Sequence, residues 1–161
     1  MILNEQQTMI RDMARKFARE RLAPNAARWD REAHFPLEEL REMGRLGLMG
    51  MNVPPEWGGA GVDAVSTALA LEEIAAGDAS TSTIMSGHNS VGCMPVAKFG
   101  TQDQKERFLK AMATGQMLCA FALTEAHGGS DAGALTTRAR RDADCYRLDG
   151  TKQFVTTGRN A

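Results

Sequence analysis

The stretch FALTEAHGGSD, residues 121–131, decides the reading of this sequence, and TKQFVTTG, residues 151–158, is its downstream echo. The first half of FALTEAHGGSD is a short apolar run that could be a strand. It passes into Thr124, a carboxylate at Glu125, the pair Gly128-Gly129 and the hydroxyl of Ser130. Glycines let a backbone turn tightly and approach a ligand with no side chain between. Successive N–H groups in such a turn, flanked by Thr124 and Ser130, form a cradle for a phosphate or a polar ring edge. The same residues also suit an ordinary β-turn after an edge strand, and the tetrapeptide alone leaves both readings open.

Working outward, the N-terminal side is helical in pattern. Ile10, Met13, Ala14, Phe17 and Ala18 recur at helical spacing. Asn4 with Gln7, and Thr101 with Gln104, are spaced as capping pairs, and Asp63 is placed to cap a small-residue helix over 64–76. Pro24 predicts a kink or a restart, and Pro36 a first turn leading through Leu37, Leu40 and Met43 to a stop at Gly47. MNVPPEWGGAG, residues 51–61, is a loop by its Pro and Gly content, with Trp57 either an anchor over the helices or a stacking surface. Further helices are expected over 81–88, 91–99 and 102–112, with Gly92 and Pro95 bending or separating the first two. Glu72 and Glu73 read as solvent-facing. His88 is either a surface hydrogen-bonding residue or part of a pocket.

After Gly115 the period changes. Strands are expected over 117–123, 135–141, 146–148 and 153–157, with Asp149-Gly150 as the hairpin turn. The fold class is therefore α+β: an all-α domain over 1–115, then the first strands of a β-domain over 116–161.

Composition removes several functions. The 161 residues carry 19 basic and 20 acidic side chains, a net charge of −1. That balance gives no nucleic-acid footprint, since Arg138, Arg140 and Arg141 sit beside acidic residues. No apolar run approaches the roughly 20 residues of a membrane span. The N-terminus shows no targeting segment, which points to the cytoplasm, or to the mitochondrial matrix in a eukaryote. Cys93, Cys119 and Cys145 are odd in number and widely spaced, so they read as buried thiols in a reducing compartment, not as disulfides or metal ligands.

The longer string ALTEAHGGSDAGA, residues 122–134, resembles the signature of the acyl-CoA dehydrogenase family: small, aliphatic, Thr, Glu, three variable positions, Gly-Ser-Asp, then small residues. DCYRLDGTKQFVTTGRNA at 144–161, NVPPEWGGAG at 52–61 and VAKFGTQDQKERFL at 96–109 resemble the same family in the right order. Ala126 and His127 replace a frequent Pro-Gly pair, which loosens the turn and brings an imidazole near it. The resemblance implies a helical domain, a β-barrel-like middle domain and a C-terminal helical bundle, with this chain ending a few strands into the second. It is thus expected to be a fragment, or one piece of a split enzyme, whose proton-abstracting glutamate lies in the absent bundle. Glu125 is expected to act structurally.

The resemblance also implies FAD as cofactor. Phe121, Leu123 and Thr124 would contact the isoalloxazine ring, Gly129 and Ser130 the FAD phosphates, Phe154 the ring face, and Thr156 the flavin N5. Ser130, Ser86 and Gly87 would meet the acyl-CoA, with Gly87 leaving room at the end of the acyl pocket. SGHNSVGCMP, residues 86–95, looks most like short- or branched-chain members. The implied activity is α,β-dehydrogenation of an acyl-CoA by a homo-oligomer, dimer or tetramer, that passes electrons to an electron-transfer flavoprotein. An oxygen-using relative, or a non-catalytic subunit completed by a partner, is the alternative.

Overall fold

A computed structural model describes residues 2–161. Among the described residues, eight α-helical segments join into five continuous helices. The first runs from α1 (Glu5–Phe17) through a π-helical stretch, Ala18–Leu22, into α2 (Ala23–Glu32). The second is α3 (Leu37–Arg45) and the third α4 (Ala64–Gly77). The fourth joins α5 (Ala79–Gly87), a π-stretch His88–Cys93 and α6 (Met94–Phe99). The fifth joins α7 (Gln102–Gln104), a π-stretch Lys105–Leu109 and α8 (Lys110–Ala113).

The capping signals hold. Asn4 with Gln7 and Thr101 with Gln104 both form reciprocal capping boxes, and Asp63 accepts from the Ser66 N–H. Of the alternatives expected at Pro24 and at Gly92 and Pro95, neither the restart nor the separation occurs, and the reason is common to both. Pro24 and Pro95 are each the second residue after a π-stretch. A helical proline has no N–H and its ring strikes the carbonyl four residues back, here Glu20 and Val91. Both of those carbonyls lie inside the widened turns, where the register that creates the clash is relaxed. Each helix therefore passes its proline without ending.

Two clusters form the interior. The larger joins Ala14, Leu22 and Trp29 of the first helix to Leu40, Met43, Met49, Ile74 and Met85. The smaller gathers Val53, Cys93, Leu109 and Met112, with Trp57 packed at its edge as an anchor. Glu73 does not face solvent: Arg15 Nε donates to it at 2.9 Å, tying the first helix to α4, whereas Glu72 is exposed. Of the three cysteines only Cys93 is buried; Cys119 is half-buried and Cys145 exposed.

Both strands lie beyond the helices, as the change of period requires, but they are fewer than expected. β1 (Arg138–Asp142) pairs antiparallel with β2 (Cys145–Asp149), with Arg140 opposite Arg147. The turn is Ala143-Asp144, with Ala143 at φ +52°, and not Asp149-Gly150. Gly150 serves clearance instead, since a Cβ there would lie 2.2 Å from Thr137 Oγ1. Residues 117–123 and 153–157 form no strand. The Gln153 N–H donates to the Thr124 carbonyl at 2.9 Å, but Phe154 at φ +55° turns the backbone away before a ladder can extend.

One buried side chain holds the loop after α3 onto the fourth helix. Asn89 donates to the carbonyls of Leu48 (2.8 Å) and Met85 (3.0 Å) and accepts from the Met51 N–H (2.7 Å). Asn89→Leu keeps the volume and strands these groups, so it should destabilise the chain by about 3 kcal/mol. Urea unfolding measures this, and a loss below about 1 kcal/mol would mean that water or a neighbour replaces the amide.

Candidate functional site

The turn at 121–131 is built around Glu125, which is 4% exposed. Its carboxylate accepts from the Thr136 N–H and hydroxyl (both 2.8 Å), the Thr137 N–H (2.9 Å) and the Lys152 ammonium (2.8 Å). Lys152 first, then the donors at Thr136 and Thr137, hold the Glu125 carboxyl well below the usual carboxylate range. A carboxylate so engaged has no free lone pair for proton abstraction, so its structural role is direct. Lys152 also donates to the Leu123 carbonyl at 2.8 Å. The turn itself closes through Glu125 N–H to the Gly128 carbonyl (2.8 Å) and Gly128 N–H to the Glu125 carbonyl (3.2 Å). A Cβ on Gly129 would sit 3.1 Å from the Thr124 hydroxyl, so that glycine is explained in part by packing on Thr124.

These ties return residues 152–157 to the helical half, and a cleft of about 570 Å³ opens between them. Ser86, Gly87, Phe121, Phe154 and Thr156, expected from sequence, all line it. Leu123, Thr124, Gly129 and Ser130 do not; they form the adjoining turn. Sequence reasoning missed Ser82, Ser90, Cys119 and Thr157 on the same walls: the two serines face the cleft by helix phase alone, and Cys119 and Thr157 reach it from irregular backbone that no motif marks. Phe121 is 51% and Phe154 86% exposed, so both leave aromatic surface open. A Cβ on Gly87 would meet no atom within 4 Å, so a side chain there has open cleft before it.

His88 lies in the cleft floor and is 2% exposed, not at the surface. Its Nε2 is 2.9 Å from the Met112 carbonyl, and burial pushes its pKa down from 6.5. Among the described residues, no Asp, Glu, Lys or Arg lines the cleft. The site is thus a slot of aromatic, aliphatic and hydroxyl groups without charge. Such a lining suits a flat uncharged ring and a hydrocarbon chain, and it does not suit an ionic substrate.

A helical half joined to a carboxylate-anchored turn, closing together on an uncharged cleft, defines an α+β chain whose cleft lining suits an apolar, planar group. Sequence comparison gives this class its family. Residues 4–116 match the acyl-CoA dehydrogenase N-terminal domain and residues 120–161 the acyl-CoA dehydrogenase middle domain. The chain belongs to the acyl-CoA dehydrogenase family. The mitochondrial short-chain specific acyl-CoA dehydrogenase of Bos taurus is 46% identical over 154 residues, 96% of this chain and 37% of that protein. Butyryl-CoA dehydrogenase from Megasphaera elsdenii superposes with a TM-score of 0.93 at 34% identity, over 100% of this chain and 43% of that one. Glutaryl-CoA dehydrogenase from Mycobacterium smegmatis, in complex with FADH2, superposes with a TM-score of 0.93 at 36% identity, over 98% of this chain and 40% of that one. The chain spans about two fifths of the length of these relatives.

Two of the perturbed groups, His88 and Glu125, give separable pH windows, with Asp63 and Glu73 adding to the acid one. His88 is neutral and depressed when folded, so stability is full above its unfolded value of 6.5 and falls as the unfolded chain takes up a proton below it. The slope approaches about 1.4 kcal/mol per pH unit at most. Glu125 contributes above its unfolded value of 4.5, and that contribution is lost only as pH falls below 4.5. Urea midpoints from pH 7.5 to 3.5 should fall in two steps, the first absent in His88→Gln and the second reduced in Glu125→Gln. A single step below pH 4.5 would contradict the neutral buried imidazole.

Proposed function

We propose that this chain forms the helical and flavin-facing part of an FAD-dependent acyl-CoA dehydrogenase that desaturates a short- or branched-chain acyl-CoA between Cα and Cβ. The observation that carries this is the uncharged cleft, which brings Phe121, Phe154 and Thr156 opposite Ser86 and Gly87. The lining fits the group: two exposed aromatic rings offer faces for a fused ring system, and the Thr156 and Thr157 hydroxyls offer donors to its edge. The bound flavin would supply the hydride acceptor for Cβ.

The residues of this chain bind and orient. Phe121 and Phe154 hold the ring plane and exclude water, and Leu123 and Thr124 continue the ring-side segment. Thr156 donates to the ring edge, where a pre-organised donor stabilises charge that builds during reduction. Gly129 and Ser130 take the cofactor phosphates and the acyl-CoA, and Ser86 and Gly87 border the acyl chain. The base for the α-proton comes from outside the cleft residues described, since none of them is a carboxylate. We assign residues 1–115 to the helical domain and 116–161 to the middle domain, with an electron-transfer flavoprotein as electron acceptor and a homo-oligomer as the working form.

Two substitutions in the complete protein test this, read by stopped-flow flavin bleaching across acyl-CoA titrations. Thr156→Val keeps shape and removes the donor, so flavin reduction should slow by about tenfold to a thousandfold. Reduction at the parent rate would remove Thr156 from the flavin. Gly87→Leu enters open space, so the fold should persist while kcat/KM for longer acyl chains falls more than for butyryl-CoA. Equal losses for all chain lengths would place the acyl chain elsewhere.

A further inference from the structure

We propose that His88 is a positioning residue, whose two ring nitrogens lock the segment bearing Cys119 and Phe121 against the cleft floor. The inference rests on the reading that Phe121 borders the flavin ring. His88 begins the π-stretch of the fourth helix, and its ring lies between two other elements of the chain. Nε2 is 2.9 Å from the Met112 carbonyl in α8, and Nδ1 is 3.3 Å from the Cys119 N–H.

The partners dictate the tautomer. A carbonyl can only accept, so Nε2 carries the hydrogen; an amide N–H can only donate, so Nδ1 presents its lone pair. A doubly protonated ring would turn an N–H toward the Cys119 N–H, donor against donor. The neighbouring geometry serves the same contact. The Cys119 thiol donates to the His88 carbonyl at 3.8 Å, and a Cβ on Gly92 would lie 1.8 Å from its Sγ. Gly92 thus leaves the space in which Cys119 seats, two residues before Phe121. Cys119, Phe121 and His88 all line the cleft. The floor carrying Ser86 and Gly87 and the wall carrying Phe121 are therefore spaced through one imidazole.

The amide side chains divide this function between them. Asn reaches as far as Nδ1 and can still accept from Cys119; Gln reaches as far as Nε2 and can still donate to Met112. The experiment uses the complete protein. Long-range 15N–1H correlation on the unaltered protein should show one imidazole, lost in His88→Asn, with pyridine-type Nδ1 and protonated Nε2. Amide exchange should then find Cys119 protected in His88→Asn and exchanging about fivefold or more faster in His88→Gln, the scale of one lost hydrogen bond. FAD affinity, read by flavin fluorescence quenching, should fall by about the same factor in His88→Gln only.

An Nδ1–H tautomer overturns the proposal without need of any variant. Equal loss of protection in both variants overturns it too, because packing alone would then explain the ring. Release of Cys119 in His88→Gln with unchanged FAD affinity upholds the lock and instead removes Phe121 from the flavin.

Discussion

The constraint on which the second half of the chain depends is the solvation of a single buried carboxylate. Glu125 must be compensated to remain charged at 4% exposure, and the nearby sequence cannot do it alone. Its donors come from Thr136, Thr137 and Lys152, 11 to 27 residues away. Satisfying one charge therefore joins three stretches that share little apolar contact. Phe154 and Thr156 reach the cleft because Lys152 is held at Glu125 and at the Leu123 carbonyl, just before them in sequence. The site is assembled by electrostatics on one side and by helix packing on the other.

The helical side contributes a different device. Three of the five helices contain a π-stretch, and two of these absorb a proline that would otherwise end the helix. In the fourth helix the widened turn begins at His88, so the accommodation of Pro95 and the placement of the cleft floor are one structural event. An uninterrupted α-helix would rotate the residues beyond His88 out of their present phase.

Much of this was legible in the sequence, and the unreadable part has a physical explanation. The caps at Asn4, Asp63 and Thr101 were visible because capping is local chemistry between residues three apart. The cleft residues Phe121, Phe154, Thr156, Ser86 and Gly87 followed from a family motif, which carries tertiary information that periodicity does not. The π-stretches were hidden, since their register differs by one hydrogen bond and not by composition. Strands over 117–123 and 153–157 were wrongly expected because their residues suit a pleated surface while their hydrogen bonds go elsewhere, to Lys152 and to a single Gln153–Thr124 contact. Asp149-Gly150 is a strong turn pair, yet Gly150 is consumed by clearance against Thr137, and the less typical Ala143-Asp144 makes the turn.

The bareness of the β1–β2 hairpin has a further consequence. Every residue of both strands is exposed, including Tyr146 at 69% and Leu148 at 72%. A two-stranded ribbon with neither face covered is marginal in water. The Glu125 carboxylate takes its donors from Thr136 and Thr137, just before β1, and from Lys152, just after β2. One buried charge therefore clasps the base of a ribbon whose faces are held by nothing else among the described residues.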